Sequence, residues 1–322
     1  MEHSAVKTAS SEGRCFGGGP KVPQDASARV TVDCNAPVRI GLLGQGIAAS
    51  RTPRMHMAAA AALGLPYDYR LIDSQRRDLP ADAGAILDML EAEGFSGLNV
   101  TYPFKRTVIP AIDVLSDAAR NVGAVNTVVF RDGKRFGHNT DHWGFGESLR
   151  QGLPEASLGR VVLVGAGGAG GAVAHALLDA GVGTLLVADL SDAMARDLTA
   201  TLAERYGAER AEAVTDLPAA IASADGMVNA TPMGMDKHPG MPVAASDLRP
   251  ELWVGDIVYF PLETELLRTA RALGCRVLPG SGMALYQAAR AFRLFTGLEP
   301  DTERMWEAFR SFDPGRDSAP FA

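Results

Sequence analysis

Short apolar runs alternate along this chain with longer segments that are apolar on one side only, and this rhythm predicts strands alternating with helices and a mostly parallel sheet. Val38 to Leu43 is a strand that ends in Gly44-Gln45-Gly46. A helix follows with Thr52 as N-cap, Pro53 at its first position and Gly64 at its end. Pro66 to Leu71 predicts a second strand, Pro80 to Glu93 a helix with Ile86, Leu87, Met89 and Leu90 on apolar positions, and Gly97 to Val100 a third strand. Next come a short helix capped by Ser116 and a hairpin of residues 127–130 with 135–138 around Asp132-Gly133. The segment from Asn139 to Gly144 reads as the crossing into a second unit. There, strands near Val161 to Val164, Thr184 to Ala188, Met227 to Asn229 and Val254 to Ile257 are separated by helices, and Gly282 to Gly297 is helical again.

At 322 residues the chain is long for one core, so two domains are expected. Apolar residues at 47% and charged residues at 21% are those of a folded soluble protein. The net charge of −7, without a basic run, argues against nucleic acid or an anionic membrane as partner. An anionic substrate must then be captured by local donors. Cys15, Cys34 and Cys275 are too few and scattered for a disulfide framework or a metal site, which suits a reducing cytoplasm. His56, His138 and His142 lack metal-ligand spacing and read as packing or surface residues, so no metal is expected. No stretch nears the ~20 apolar residues of a membrane span. Residues 1–37 lack the apolar core of a signal peptide and read as a disordered leader or an over-extended start.

Two segments carry the candidate chemistry. Leu98 to Lys105 places Asn99 and Thr101 on one face of a strand, and Pro103 stops the pairing so that Phe104-Lys105 turns outward. A polar-faced strand entering a loop would look the same. The strand from Arg160 to Val164 runs into Gly165-Ala166-Gly167-Gly168-Ala169-Gly170, a GxGxxG turn opening an Ala-rich helix. Gly165 permits the tight turn, Gly167 lets a pyrophosphate approach the backbone, and Gly170 lets helix and strand pack closely. The helix N-terminus supplies N–H groups for phosphates. Asp189 closes the next strand at about the spacing of 20 residues the fingerprint expects. Its carboxylate can accept hydrogen bonds from ribose hydroxyls and repels a 2′-phosphate, and no arginine follows until Arg196, so NAD is favoured over NADP. The same aspartate could equally cap the helix that starts near Asp192.

Taken in order, Ser50-Arg51-Thr52-Pro53, the segment Asn99 to Lys105, Gly123 to Thr127, Asn139-Thr140-Asp141, Asn229 to Met235, Asp256 to Tyr259 and Gly280-Ser281-Gly282-Met283 with Gln287 resemble the shikimate and quinate dehydrogenase family from Arg39 to Asp301. The resemblance implies an N-terminal α/β substrate domain, residues 38–141, with a mostly parallel mixed sheet, completed by C-terminal helices over 283–314. It implies a Rossmann-type dinucleotide-binding domain over 142–282, with a cleft between the two. Ser50 and Thr52 would hold the substrate carboxylate with Tyr259 near it, while Asn99, Thr101, Asn126, Asp141 and Gln287 face the ring hydroxyls. Gly280, Met283 and the loop from Thr231 through Met233 to Met235 would lie against the nicotinamide. By residue type alone, the three methionines would be core and Asn126, Asn139 and Gln287 turn or surface residues.

Lys105 and Asp141 are the implied catalytic pair. Hydride can leave a secondary alcohol only if the hydroxyl proton leaves too, so a base must sit within hydrogen-bond reach of that oxygen. Lys105 fills this role, or it only orients the hydroxyl while the proton passes through Asp141 or water. Ser-Arg-Thr-Pro at 50–53, where biosynthetic relatives typically carry Ser-Leu-Ser-Pro, looks like the quinate/shikimate branch. The expected activity is NAD-dependent interconversion of quinate with 3-dehydroquinate and of shikimate with 3-dehydroshikimate, by a cytoplasmic monomer or homodimer. The alternatives are the biosynthetic NADP-dependent shikimate dehydrogenase, an aminoquinate-type enzyme, and a non-catalytic paralogue that binds the same molecules.

Overall fold

The computed structural model describes residues 37–311, so the expected leader, apart from Pro37, and residues 312–314 of the expected C-terminal helices lie outside the described residues. The elements run β1 (Val38–Gly44), α1 (Thr52–Ala62), β2 (Tyr67–Asp73), α2 (Ala83–Ala92), β3 (Gly97–Val100), α3 (Phe104–Thr107), β4 (Val114–Leu115), α4 (Asp117–Val122), β5 (Thr127–Arg131) and β6 (Lys134–His138). They continue with α5 (Thr140–Gly152), β7 (Arg160–Val164), α6 (Gly168–Asp179), β8 (Thr184–Ala188), α7 (Asp192–Tyr206), β9 (Ala211–Ala213), α8 (Leu217–Ala222) and β10 (Gly226–Asn229). The last are β11 (Trp253–Asp256), α9 (Glu265–Ala272), β12 (Val277–Leu278), α10 (Gly280–Thr296) and α11 (Thr302–Arg310). Three short strands, β4, β9 and β12, have too few residues to show a period, and the sequence did not single them out.

Some boundaries differ from expectation, for local reasons. Thr52 is the first residue of α1 and not its N-cap: Arg51 precedes it with helical backbone, and the Thr52 amide donates to Ser50 Oγ at 3.4 Å. The helix after β2 begins at Ala83, because Asp82 caps it by accepting from the Ala85 amide. The hairpin turn holds Asp132 and Gly133 both at positive φ, 52° and 65°, the geometry whose twist matches paired strands.

The first compact unit comprises the described residues up to Val114, Val125–Gly137 and from Ala288 onward. Its sheet has the order β2-β1-β3-β5-β6-β4, with β1 parallel to β2 and β3, and β5 antiparallel to β3. Its core draws Ile40, Leu98 and Val128 from strands, Met55 and Ala59 from α1, Leu87 and Leu90 from α2, and Phe292, Phe295 and Phe309 from the C-terminal helices, all buried. Burying one such large side chain stabilises the fold by roughly 1.5–3 kcal/mol.

The second unit comprises Leu115–Ala124 and His138–Gln287. Segment 115–124 belongs here because α4 packs on α6, and because Asn139 Nδ2 donates to the Ala124 carbonyl at 3.0 Å. The sheet runs β12-β11-β10-β7-β8-β9 with every observed pair parallel. Both faces are covered, so its strands are apolar on both sides. Val161 and Leu163 of β7 pack with Val173 and Leu177 of α6, while Val162 and Val164 pack with Ile221 of α8 and Leu266 of α9.

Candidate active site

In the first unit, the site residues converge where β1 and β3 end. The Thr101 amide donates to Leu43 O at 2.9 Å and the Gln45 amide to Tyr102 O at 3.0 Å, which ties the segment after β3 to the end of β1. The Tyr102–Pro103 peptide is cis, and Lys105 lies half-buried in the one-turn helix α3 that follows, instead of on the outward turn expected. The Val125 amide donates to Lys105 O at 2.8 Å and the Val100 amide to Asn126 O at 2.7 Å, so Asn126 is drawn to the same edge. The antiparallel register sets Asn99 opposite Thr127. Asn99, Thr101, Lys105 and Asn126, distant in sequence, are thus brought together by backbone pairing.

Ser50 and Thr52 reach this unit through the loop after β1, and an unpredicted residue shapes that loop. Asp73 closes β2, and its carboxylate accepts from the amides of Gly46 (2.9 Å), Ile47 (3.1 Å) and Gln75 (3.0 Å). Burial pushes its pKa up, but these amides outweigh burial and hold it below the usual carboxylate range. An aspartate at the end of a strand, facing a glycine-bounded loop, was the available signal. Arg51, between the two hydroxyl residues, is buried: Nη1 donates to Phe309 O at 3.0 Å and the guanidinium lies 4.8 Å from the Phe309 ring centre. Its charge thus meets the C-terminal end of α11, where a cation is favoured. His56 is fully buried among Tyr67, Tyr69, Phe292 and Phe295, a packing residue as expected, and burial lowers its pKa to about 3.

In the second unit, the parallel sheet brings the ends of its strands to one edge: β7 leads to Gly165, β8 to Asp189, β10 to Thr231, β11 to Tyr259 and β12 to Gly280. The strand order turns back between β7 and β10, the crevice where open α/β sheets hold dinucleotides. Gly165 has φ +105°, and a Cβ on Gly170 would lie 2.0 Å from Gly165 O, so helix and turn touch as the fingerprint requires. Around Gly167 and Gly168 a Cβ would meet nothing within 4 Å, and the first turn of α6 holds no acidic residue. The turn thus offers open approach and unopposed N–H groups to a phosphate, and fits a dinucleotide. Asp189 Oδ2 accepts from the Ala166 amide at 2.7 Å and Oδ1 from the Ser191 amide at 2.9 Å. Ser191, not Asp189, caps α7.

The loop after β10 is held from within. Asn229 Oδ1 accepts from the Thr231 amide and hydroxyl (3.0 and 2.7 Å), while its Nδ2 donates to Met233 O and to Asp256 Oδ1 (2.9 and 3.0 Å). Asp256 Oδ2 accepts from the Thr264 hydroxyl at 2.7 Å. Met233 and Met235 are 37% and 40% exposed and Tyr259 is 43% exposed, so none is core, whereas Met283 at 8% lies in the core of this unit. Asp141 occupies the first turn of α5, whose N-cap is Asn139. Thr140 Oγ1 lies 3.4 Å from Gln287 Oε1, which places Gln287 beside the start of α5.

Burial raises the Asp256 pKa to about 6, against the lowering effect of its three hydrogen-bond donors. The folded state therefore holds this proton more tightly than the unfolded chain, and stability falls as pH rises from about 4 to about 6, by roughly 3 kcal/mol. Asp256→Asn keeps Oδ1 as acceptor and turns the other bond round toward Thr264 Oγ1. It is expected to flatten this part of the stability profile in denaturant titrations between pH 4 and 7; an unchanged slope would assign it elsewhere.

No group of three or more metal-binding side chains is placed to hold an ion among the described residues, and no helix there is long and apolar enough to cross a membrane. Cys275 is a buried free thiol; Cys15 and Cys34 lie outside the described residues.

A nucleotide-binding sheet of this order, in one chain with an α/β unit whose strand ends gather amide, hydroxyl and amino groups, defines a dinucleotide-linked oxidoreductase. Residues 42–128 match the shikimate dehydrogenase substrate binding domain and residues 280–308 the shikimate 5'-dehydrogenase C-terminal domain. The chain belongs to the shikimate/quinate dehydrogenase family. It is 52% identical over 269 residues to shikimate dehydrogenase (NADP(+)) of Streptomyces avermitilis, covering 83% of this chain and 92% of that one. It is 50% identical over 278 residues to quinate/shikimate dehydrogenase (NAD(+)) of Corynebacterium efficiens, covering 85% and 98%. The solved quinate dehydrogenase from Corynebacterium glutamicum in complex with NAD superimposes with TM-score 0.83 at 49% identity, over 86% of this chain and 99% of that one.

Proposed function

We propose that this chain is an NAD-dependent quinate/shikimate dehydrogenase, moving hydride reversibly between the cofactor and the C3 hydroxyl carbon of quinate or shikimate. The observation that carries the cofactor choice is Asp189: a carboxylate fixed at the end of β8 by two backbone amides, where a 2′-phosphate would have to sit. Arg196, the first arginine after it, lies 4.0 Å from Asp192. Thr52 after Ser50-Arg51 supports the quinate-using branch. The NAD-named relatives from Corynebacterium agree with this reading, and the NADP-named relative from Streptomyces supports the biosynthetic shikimate dehydrogenase as the second reading.

In this reading, residues 38–141 with the C-terminal helices bind the acid, and residues 142–282 bind the dinucleotide. Ser50 and Thr52 offer hydroxyl donors to the carboxylate, with Tyr259 near it. Asn99, Thr101, Asn126, Asp141 and Gln287 orient the ring hydroxyls, and Lys105, with Asp141 as its partner, takes the hydroxyl proton in oxidation and returns it in reduction. The glycine turn from Gly165 to Gly170 takes the pyrophosphate and Asp189 the ribose, while Thr231, Met233, Met235, Gly280 and Met283 lie against the nicotinamide. The cofactor, when bound, supplies the hydride acceptor. The enzyme works in the cytoplasm as a monomer or homodimer. Steady-state rates with quinate and shikimate, each crossed with NAD and NADP, test the proposal. Faster turnover with NAD at limiting cofactor, and oxidation of both acids, are expected; a clear NADP preference with shikimate alone would establish the second reading.

A further inference from the structure

We propose that Tyr69 and Thr127 are positioning residues for the acid, acting through a hydrogen-bond relay that couples the orientations of the Asn99 and Asn126 amides. The inference rests on the reading above that those two asparagines touch the substrate. The Tyr69 hydroxyl donates to Asn99 Oδ1 at 2.8 Å; Asn99 Nδ2 donates to Thr127 Oγ1 at 3.2 Å; and the Thr127 hydroxyl donates to Asn126 Oδ1 at 3.1 Å. All four residues are buried: Tyr69 3%, Asn99 4%, Asn126 4% and Thr127 0% exposed.

The relay crosses the sheet. Tyr69 stands on β2 and Asn99 on β3, with β1 between them, so the phenol spans a strand to reach the amide. The antiparallel register then delivers Asn99 to Thr127. The phenol ring is itself held: His56 meets it at 5.0 Å between ring centres in an edge-on contact, and His56 Nδ1 lies 2.9 Å from the Tyr67 hydroxyl. With its pKa near 3, His56 is neutral and adds no charge beside the relay.

Coupling between the two amides is what the relay adds. An asparagine side chain turned by 180° exchanges a donor for an acceptor at the same place. With the tyrosine proton on Asn99 Oδ1 and the threonine proton on Asn126 Oδ1, the two amides share one sense and can reverse only together, with both hydroxyl protons. Rotating either amide alone sets donor against donor or oxygen against oxygen, and leaves a buried group unsatisfied. Thr127 ends the Gly123 to Thr127 motif without being among the residues expected to face the ring hydroxyls, and Tyr69 lies outside the family motifs.

The test is steady-state kinetics of the full chain with quinate, shikimate and NAD for Tyr69→Phe, Thr127→Val, Thr127→Ser and the Tyr69→Phe/Thr127→Val pair. Loss of one buried hydrogen bond corresponds to about a tenfold change. Tyr69→Phe and Thr127→Val are expected to raise KM for the acid by about tenfold with KM for NAD unchanged, and Thr127→Ser to restore it. The double variant is expected to fall short of the product of the two single losses, because both break one relay. A merely structural role would lower the thermal midpoint and the active fraction and leave the acid KM in place. An unchanged acid KM in both single variants, or losses that multiply independently, would overturn the proposal. If Tyr69→Phe does not fold, the Thr127 valine and serine variants decide it. If the parent chain oxidises neither acid, the proposed activity itself has failed. The relay is then judged by direct binding of the acids, where a tenfold weaker affinity supports it and equal affinity refutes it.

Discussion

Replacing Lys105 with alanine is expected to lower kcat by about 10²- to 10⁴-fold while KM for the acid moves little, the range over which a positioned proton-transfer group acts. The backbone around Lys105 is held without its side chain: the residue sits in α3, its carbonyl accepts from the Val125 amide, and the Phe104 amide donates to Thr101 O at 2.9 Å. Truncation therefore removes the amino group and leaves the neighbouring Asn126 and Thr101 segments in place. The split between kcat and KM is the decisive readout, measured in both directions of the reaction. A variant with raised KM and parental kcat would make Lys105 an orienting group only, with the proton passing through Asp141 or water.

Gly170→Ala should abolish useful cofactor binding. The added methyl would be driven to 2.0 Å from Gly165 O, which is backbone and cannot swing away, and Gly165 in turn lies against the Ala230 carbonyl group. The start of α6 must move, and displacements near 1 Å at such a site can cost about 100-fold. Overpacking adds about 1–3 kcal/mol of destabilisation. We expect NAD affinity, followed by fluorescence titration, to fall by at least about 100-fold, with a lowered thermal midpoint. NAD bound with parental affinity would mean that the turn is not where the pyrophosphate lies.

Elements with a strong period or a punctuating residue were legible from the sequence. Gly97–Val100, the hairpin around Asp132-Gly133 and the strand-turn-helix at Gly165 lie where their residues predict. Helix starts differ from expectation where the cap lies elsewhere: Asp82 caps α2, so that helix starts past Pro80, and Thr52 is already inside α1. What sequence could not supply were side chains whose meaning lies in a distant partner. Asp73 is an ordinary strand-end aspartate until the fold brings the Gly46 and Ile47 amides to it across 26 or more positions. Tyr69 is an ordinary strand aromatic until its hydroxyl meets Asn99, 30 residues away. Arg51 lies between two hydroxyl residues expected at a carboxylate, and only the packing of α1 on α11 brings its guanidinium to the Phe309 carbonyl. Asn139 was open between turn and site, and the structure makes it the α5 cap.

On the proposed reading Asp189 carries two duties on one side chain, and this constrains how cofactor preference could be changed in this chain. On that reading its carboxylate would discourage a 2′-phosphate, while the same oxygens secure the Ala166 amide of the glycine turn and the Ser191 amide ahead of α7. A substitution that only deletes the negative charge also unfastens the turn, so a one-step exchange would impair both dinucleotides before it favoured either. The accessible route keeps the brace and adds basic residues at exposed Leu190 and the positions after it. In engineering terms, position 189 is a poor first target and residue 190 a better one.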